Sequence, residues 1–300
     1  MVQFYLHKPV MLTEVLEYLQ LEKKDKILDA TVGLGGHAEQ ILKRIMPEGM
    51  LIGIDRDKES LEIARERLKD FSSNCILIHD NFFNIEKILS SLNILKLDGV
   101  LLDLGVSSFQ LNNAERGFSF VKEGPLDMRM DRNSNISAFD LVNNLTKEEL
   151  SSILWRFGQE RYSNRIAKAL VDYRKNSTIN TTIELSNIVM KVIPHQKSRY
   201  KIHPATRTFQ ALRIVVNREL EFLETFLNKI TFFMNKGARL CVISFHSLED
   251  RIVKVKFRAL AKRKEFRLLF KKPLTPSQEE IKDNPSSRSA KLRVLEKLYN

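Results

Sequence analysis

Four short apolar runs in this 300-residue chain each end on an aspartate: Lys26-Ile-Leu-Asp29, Leu51-Ile-Gly-Ile-Asp55, Cys75-Ile-Leu-Ile-His-Asp80 and Val100-Leu-Leu-Asp103. One such acid is most often a turn residue or a helix N-cap. Four of them, at intervals of 26, 25 and 23 residues, predict carboxylates gathered at one edge of a sheet, ready to accept hydrogen bonds from a polar ligand. Directly after the first run comes Asp29-Ala-Thr-Val-Gly33-Leu-Gly35-Gly36-His37-Ala38. Glycines there let the backbone bend tightly and approach a ligand with no Cβ in the way, while the N–H groups of the following helix face it. Alone, the pattern is equally that of a tight strand-to-helix turn. Asp55, about 20 positions further on, is placed to accept from both hydroxyls of a ribose, which favours a nucleoside ligand. NAD and S-adenosylmethionine both satisfy that pattern. Asp29 ahead of the glycines and Asp103 at the end of the fourth run favour the latter, because a nicotinamide enzyme has no comparable need for acids beside the reacting group. His37 is either a backbone contact or a first-turn residue whose ring has no assigned task. Phe82 lies either on an adenine face or in the core.

These residues need elements to position them. A strand of about five residues, a helix and two short loops fill each interval, and continuous apolar strands separated by helical patterns indicate a parallel sheet covered on both faces. In Lys58 to Phe71 the positions Leu61, Ile63, Ala64, Leu68 and Phe71 follow helical spacing beside charged residues. After Asp103 the pattern stops. Residues 109 to about 205 hold Gly-, Pro- and Asn-containing loops and then three helix starts, at Ser137, at Thr146-Lys-Glu-Glu149 and at Thr181-Thr-Ile-Glu184. A helix near 209–234 then leads to a fifth strand at Ala238–Ser244 and a basic helix from about 248 to 264. Strands at 266–270 and 290–298, joined by a surface loop over 273–287, complete the chain. The expected fold is one α/β domain interrupted by a helical insertion: residues 1–112 and 209–300 form the sheet and 113–208 the insertion.

Composition narrows the partners. An apolar fraction of 43% excludes intrinsic disorder, and the length excludes a disulfide-stapled miniprotein. Lys and Arg number 49 against 37 Asp and Glu, a net +12, of which residues 251–300 carry +10, so a polyanionic partner is expected. Cys75 and Cys241 sit in apolar strand settings with no CxxC pair, predicting reduced core thiols, no metal site and a cytoplasmic protein. There is no run of eighteen apolar residues, and the opening MVQFYLHKPVML has no basic leader or cleavage site, so neither export nor membrane insertion is expected. Monomer and homodimer are both compatible with the sequence.

The string Asp98-Gly-Val-Leu-Leu-Asp-Leu-Gly-Val-Ser-Ser-Phe-Gln-Leu111 adds a more specific signal. It is joined by His7-Lys-Pro-Val-Met11, Gly33-Leu-Gly-Gly-His37, Pro125-Leu-Asp-Met-Arg-Met-Asp131, His203-Pro-Ala-Thr-Arg-Thr-Phe-Gln-Ala-Leu-Arg213 and Ser244-Phe-His-Ser-Leu-Glu-Asp-Arg251. Together these motifs closely resemble the RsmH (MraW) family of ribosomal RNA cytosine-N4 methyltransferases over essentially the whole chain. One departure is Phe109, which stands where the family has a proline after the paired serines. The resemblance implies a class I, Rossmann-like methyltransferase with a seven-stranded, mostly parallel sheet and an inserted helical domain. It implies transfer of a methyl from S-adenosylmethionine to N4 of one cytosine, position 1402 of 16S rRNA, in the small ribosomal subunit. Carried over by motif, Gly35, Gly36 and His37 contact the cofactor, Asp55 holds its ribose, Phe82 flanks the adenine, and Asp103 with Gln110 completes the site.

The exocyclic amine of cytosine is a poor nucleophile because its lone pair is delocalised into the ring. Catalysis must orient it and stabilise developing charge. Asp103, Ser107 and Ser108 are the nearest candidates to accept from N4–H, and His246 would either relay the released proton or cap the next helix. No cysteine nucleophile is expected. The base must be turned out of its stack, and Arg207, Arg213, Arg251, Lys254, Lys256 and Arg258 are the expected RNA contacts. Met128 and Met130 read as core fillers. Two other classes compete: an NAD-dependent oxidoreductase using the glycine pattern with Asp55, and an RNA-binding assembly factor that keeps the fold without catalysis.

Overall fold

The computed structural model describes residues 8–193 and 203–299. His7 of the first motif, and the leader reading of the opening residues, fall outside them. The described chain divides into two compact units, one reaching to Gly105 and resuming at Leu220, the other Val106–Glu219.

In the first unit β1 (Lys26–Asp29), β2 (Met50–Asp55), β3 (Cys75–His79), β4 (Leu97–Asp103) and β5 (Met234–Ser244) pair in parallel. The sheet is finished by β6 (Phe266–Leu268) and β7 (Lys291–Lys297), giving seven strands in the order β3-β2-β1-β4-β5-β7-β6, with β7 antiparallel to both neighbours. Because successive side chains on a strand point to opposite faces, each apolar run supplies two cores. Ile27, Leu51, Leu101 and Cys241 join Val15, Leu19, Ile41, Ile45 and Leu61 from α1 (Leu12–Leu19), α2 (Gly36–Ile45) and α3 (Lys58–Arg67). Leu28, Ile52, Val100 and Leu240 join Ile85 and Leu89 of α4 (Ile85–Ser91) and the later Leu223, Phe226, Val253 and Phe257. Each fully buried Leu or Ile contributes roughly 1.5–3 kcal/mol of transfer free energy, so the sheet is held from both sides and its strand ends are fixed points.

The second unit contains α5 (Ser108–Asn112), α6 (Ala138–Asn144), α7 (Lys147–Gly158), α8 (Ser163–Arg174), α9 (Thr182–Val192) and α10 (Thr206–Val216). Ser137, Thr146 and Thr181 each close a capping box with Asp140, Glu149 and Glu184, as their spacing predicts. The unit's core contains Leu150, Leu154, Ile166, Leu170, Leu185, Val189, Phe209 and Leu212, and Met128 and Met130 fill it as expected.

Four features differ from the sequence reading. The helical unit starts earlier and ends later than 113–208, because Phe209, Ala211, Leu212 and Val216 bury α10 in the helical core. The single helix expected over 209–234 is two, α10 and α11 (Glu219–Lys229), broken where Arg218 takes a φ of 48°. Asn217 has its amide spent on Met128 O and its Oδ1 on Met130 N, which holds the break in place. The helix α8 was not anticipated, since Tyr162 opens it without a side-chain cap. Beyond α12 (Ser247–Lys262), the expected loop over 273–287 contains α13 (Gln278–Asp283), and Leu274 bridges to Leu292 of β7.

Candidate cofactor site

The carboxyl ends of β1, β2 and β4 lie side by side in the sheet, and the loop after β1 is clamped across them. Ala30 N donates to Leu101 O and Val32 N to Ile54 O, both at 2.9 Å. Gly33 (φ 52°) and Gly35 (φ 79°) then turn the chain into α2. A Cβ on Gly36 would stand 2.9 Å from Pro9 Cγ, so only glycine leaves this approach open. No side chain caps α2, which leaves the amides of its first turn to be satisfied from outside the helix.

Asp55 is anchored by both oxygens, Oδ2 accepting from Gly33 N and Oδ1 from Asp57 N, each at 2.8 Å. Each carboxylate oxygen keeps a second lone pair, the arrangement needed to receive a vicinal diol. Burial raises its pKa above the usual carboxylate range, and these two backbone hydrogen bonds oppose the rise.

Asp29 and Asp103 form a second pair of acids, linked through Thr31. Thr31 N donates to Asp29 Oδ1 at 3.2 Å, and Asp103 N donates to Thr31 Oγ1 at 2.7 Å. Asp29 is buried, and desolvation pushes it up to about 7. Desolvation also raises Asp103 well above 3.8, helped by the charges of Asp29 and Glu249. Its side chain is 18% exposed, so solvent moderates that rise. Among the described residues, Asp103 Oδ1 is buried without a hydrogen-bond partner, a cost a native structure rarely carries without a use. Its Oδ2 lies 3.6 Å from His37 Nδ1, and His37 Nε2 donates to Val10 O at 3.0 Å. The ring of His37, to which the sequence assigned no task, therefore stands between the Val10 carbonyl and Asp103.

The other expected residues are placed as follows. Phe82 is buried edge-on to Phe226, with ring centroids 5.3 Å apart, so most of its ring belongs to the core. Ser107 and Gln110 hold each other at the start of α5: Gln110 N donates to Ser107 Oγ at 3.2 Å and Ser107 N to Gln110 Oε1 at 3.0 Å. Ser108 is the first residue of that helix. His246 caps α12, its Nδ1 accepting from Glu249 N and its Nε2 lying 3.2 Å from Glu249 Oε1. Of its two expected roles, the geometry is that of the cap.

On α12, Arg251 and Arg258 are exposed, while Lys254 is half-buried near Asp250. Two expected RNA contacts are otherwise engaged. Arg213 makes a two-pronged pair with Glu219, at 2.8 and 2.9 Å, with only 15% of its side chain exposed, because the break before α11 brings that acid back to it. Lys256 is tied to Asn228. Arg207 stays half-exposed, its guanidinium 3.4 Å from Gln159 O. Sequence reasoning missed Thr31 and Val10. A threonine two positions after a strand-end acid was a usable signal for the first, whereas a backbone carbonyl distant in sequence leaves none for the second.

These residues fit S-adenosylmethionine: a glycine approach, an uncapped helix start, a diol acceptor in Asp55 and a partnerless buried oxygen on Asp103. A chain of Halothermothrix orenii named ribosomal RNA small subunit methyltransferase H is 47% identical, the match covering 98% of this chain and 99% of that one. The protein of the same name from Persephonella marina is 51% identical, over 97% and 99%. A solved structure of Aeropyrum pernix fibrillarin with S-adenosyl-L-methionine bound matches at a TM-score of 0.41 and 10% identity, over 91% of this chain and 67% of that one. The assignment rests on the sequence relatives and on the family model, which matches residues 4–298: the chain belongs to the MraW methylase family.

Proposed function

We propose that this methylase transfers a methyl group to the exocyclic N4 of a single cytosine, position 1402, in the 16S rRNA of the small ribosomal subunit. The small-subunit rRNA substrate is supported by the names of relatives that match over nearly their full length. The observation that carries the chemistry is Asp103, whose Oδ1 is buried and partnerless at the end of β4.

S-adenosylmethionine supplies an electrophilic methyl on a sulfonium. Asp55 holds the ribose, and the first-turn amides of α2 at Gly36 and His37, after Gly35, hold the polar tail. Asp103 accepts a hydrogen bond from N4–H, which localises the nitrogen lone pair and keeps it in line with the methyl. A carboxylate whose surroundings raise its proton affinity is also the natural acceptor once N4 turns cationic, so no relay through His246 is needed. Ser107 and Ser108 are the further candidates to accept from N4–H, and Gln110 is assigned with Asp103 to the cofactor. Covalent catalysis by cysteine is disfavoured, since burial pushes both Cys75 and Cys241 up to about 12 and keeps them as neutral thiols. Arg251 and Arg258 contact phosphates.

No helix among the described residues is long and apolar enough to cross a membrane. A cytoplasmic reaction is inferred from the proposed small-subunit rRNA substrate. Incubating subunits that lack the modification with labelled cofactor and digesting them to nucleosides tests the reading: N4-methylcytidine is expected, and its absence rejects it. Loss of transfer in Asp103→Ala with unchanged RNA affinity distinguishes an enzyme from an assembly factor, and binding of S-adenosylhomocysteine in preference to NAD removes the oxidoreductase reading.

A further inference from the structure

We infer that the turn between α7 and α8 is a stacking and phosphate-binding platform for the RNA substrate, centred on Trp155. The inference rests on the RNA reading above and extends it to a surface of the helical unit that the family motifs do not mark.

Trp155 is the chain's only tryptophan and is 60% exposed. The face of α7 that holds the helix in its core is Leu150, Leu154 and Gly158, so packing gives no reason for an indole at 155. The exposed charges of the chain segment that follows it have one sign. Arg156, Arg161 and Arg165 are exposed, and Arg207 of α10 reaches the same turn through Gln159 O at 3.4 Å. The one acid of the turn, Glu160, is only 4% exposed, and its Oε1 is taken by Tyr162 N at 2.9 Å. Glu148 and Glu149 sit at the opposite end of α7.

Helix electrostatics account for Arg156, a cation in the last turn of α7, but run against the others. Arg161 and Arg165 flank the start of α8, the positive end of its dipole, where cations are disfavoured and where this helix has no acid in its first turn. Arginines held there at a cost to stability point to an anionic partner. Two guanidinium groups also lie near aromatic rings, Arg156 at 5.4 Å from Phe157 and Arg165 at 5.8 Å from Tyr162. Such pairs pre-order flat cationic surfaces on the segment that carries the exposed indole, the combination on which unpaired bases stack and to which phosphates bind. A protein partner of ordinary composition has no comparable need for this density of arginine.

Because Trp155 is the only tryptophan, the full-length protein's intrinsic fluorescence reads the platform directly. Titration with unmodified small-subunit rRNA is expected to quench it saturably. Trp155→Ala should weaken RNA binding about 10-fold or more by filter assay, Trp155→Phe should restore most of it, and Arg161→Gln with Arg165→Gln should reduce the slope of log affinity against log salt by one to two. Trp155 is exposed and is not among the residues assigned to the cofactor, so S-adenosylhomocysteine affinity should be unchanged in every variant, which also checks folding. Normal methyl transfer with silent fluorescence and unaltered RNA affinity in Trp155→Ala overturns the platform and leaves the enzymatic reading standing. Quenching without any methyl transfer into RNA does the reverse. A response to ribosomal proteins but not to RNA also overturns it.

Discussion

The strand-end acids of the sheet unit and two acids of the helical unit are used in opposite ways. In the helical unit, acids are held by donors that favour their charge: Asp127 takes two bonds from the Arg129 guanidinium and one from its amide, and Asp140 takes the hydroxyl and amide of Ser137. Arg129 holds the Asp127 carboxyl below its ordinary range despite burial, and the Ser137 hydrogen bonds do the same for Asp140. In the sheet unit, Asp29, Asp55 and Asp103 lie at strand ends where burial outweighs their few donors and raises all three. An acid whose surroundings lower its pKa is stabilising the fold. Burial also raises Asp25 and Glu280 in the sheet unit, so a raised carboxyl alone does not mark a site; Asp29, Asp55 and Asp103 stand out because they end neighbouring strands at the candidate cofactor site.

The contrast is sharpest under substitution. Asp103→Asn keeps the shape and removes the charge, and methyl transfer is expected to fall by about 10²–10⁴ with the fold intact by circular dichroism. Activity near the wild-type level would reject the role given to that acid. Gly36→Val places a side chain against Pro9 at the start of α2, and S-adenosylhomocysteine affinity by calorimetry should drop at least about 10-fold.

Stability should move the other way at Asp29. A carboxyl raised to about 7 in the folded state favours folding below the unfolded value near 4 and loses that contribution as pH climbs through 7. Asp29→Asn removes the penalty while its Oδ1 can still accept from Thr31 N, so at pH 8 it should stabilise by on the order of 2 kcal/mol by urea unfolding and bring no gain at pH 4. A loss of stability at pH 8 contradicts the assignment. In the helical unit, Asp127 and Asp140 contribute above the unfolded value and stop contributing as pH falls through their lowered values. Hydrogen exchange corrected for intrinsic rates should accordingly show the segments held by Asp127 and Asp140 losing protection on acidification. The smallest effect is that of a cap: Ser137→Ala should cost about 1 kcal/mol and leave methyl transfer unchanged.

Much of this architecture is legible in the sequence because its signals are local. β1 to β4 follow from apolar runs ended by acids, and α6, α7 and α9 follow from capping boxes that need only four residues. The helix α8 lacks such a start, and the break at Asn217 and Arg218 depends on the Met128 backbone far away in sequence. The capture of Arg213 by Glu219 exists only once that break has formed. At the site, Asp29, Gly33 and Asp55 announce themselves by spacing, whereas the seat of His37 between Val10 O and Asp103 needs two contacts between distant segments. Local chemistry can be read from a sequence. Chemistry assembled from a carbonyl on one segment and a carboxylate on another cannot.

Mass-spectrometric mapping of the modified nucleotide tests reaction and target together. Small subunits lacking the modification, incubated with this protein and S-adenosylmethionine, should gain one methyl on N4 of cytosine 1402 and on no other base. A methyl at another atom or another nucleotide, or none at all, would contradict the account.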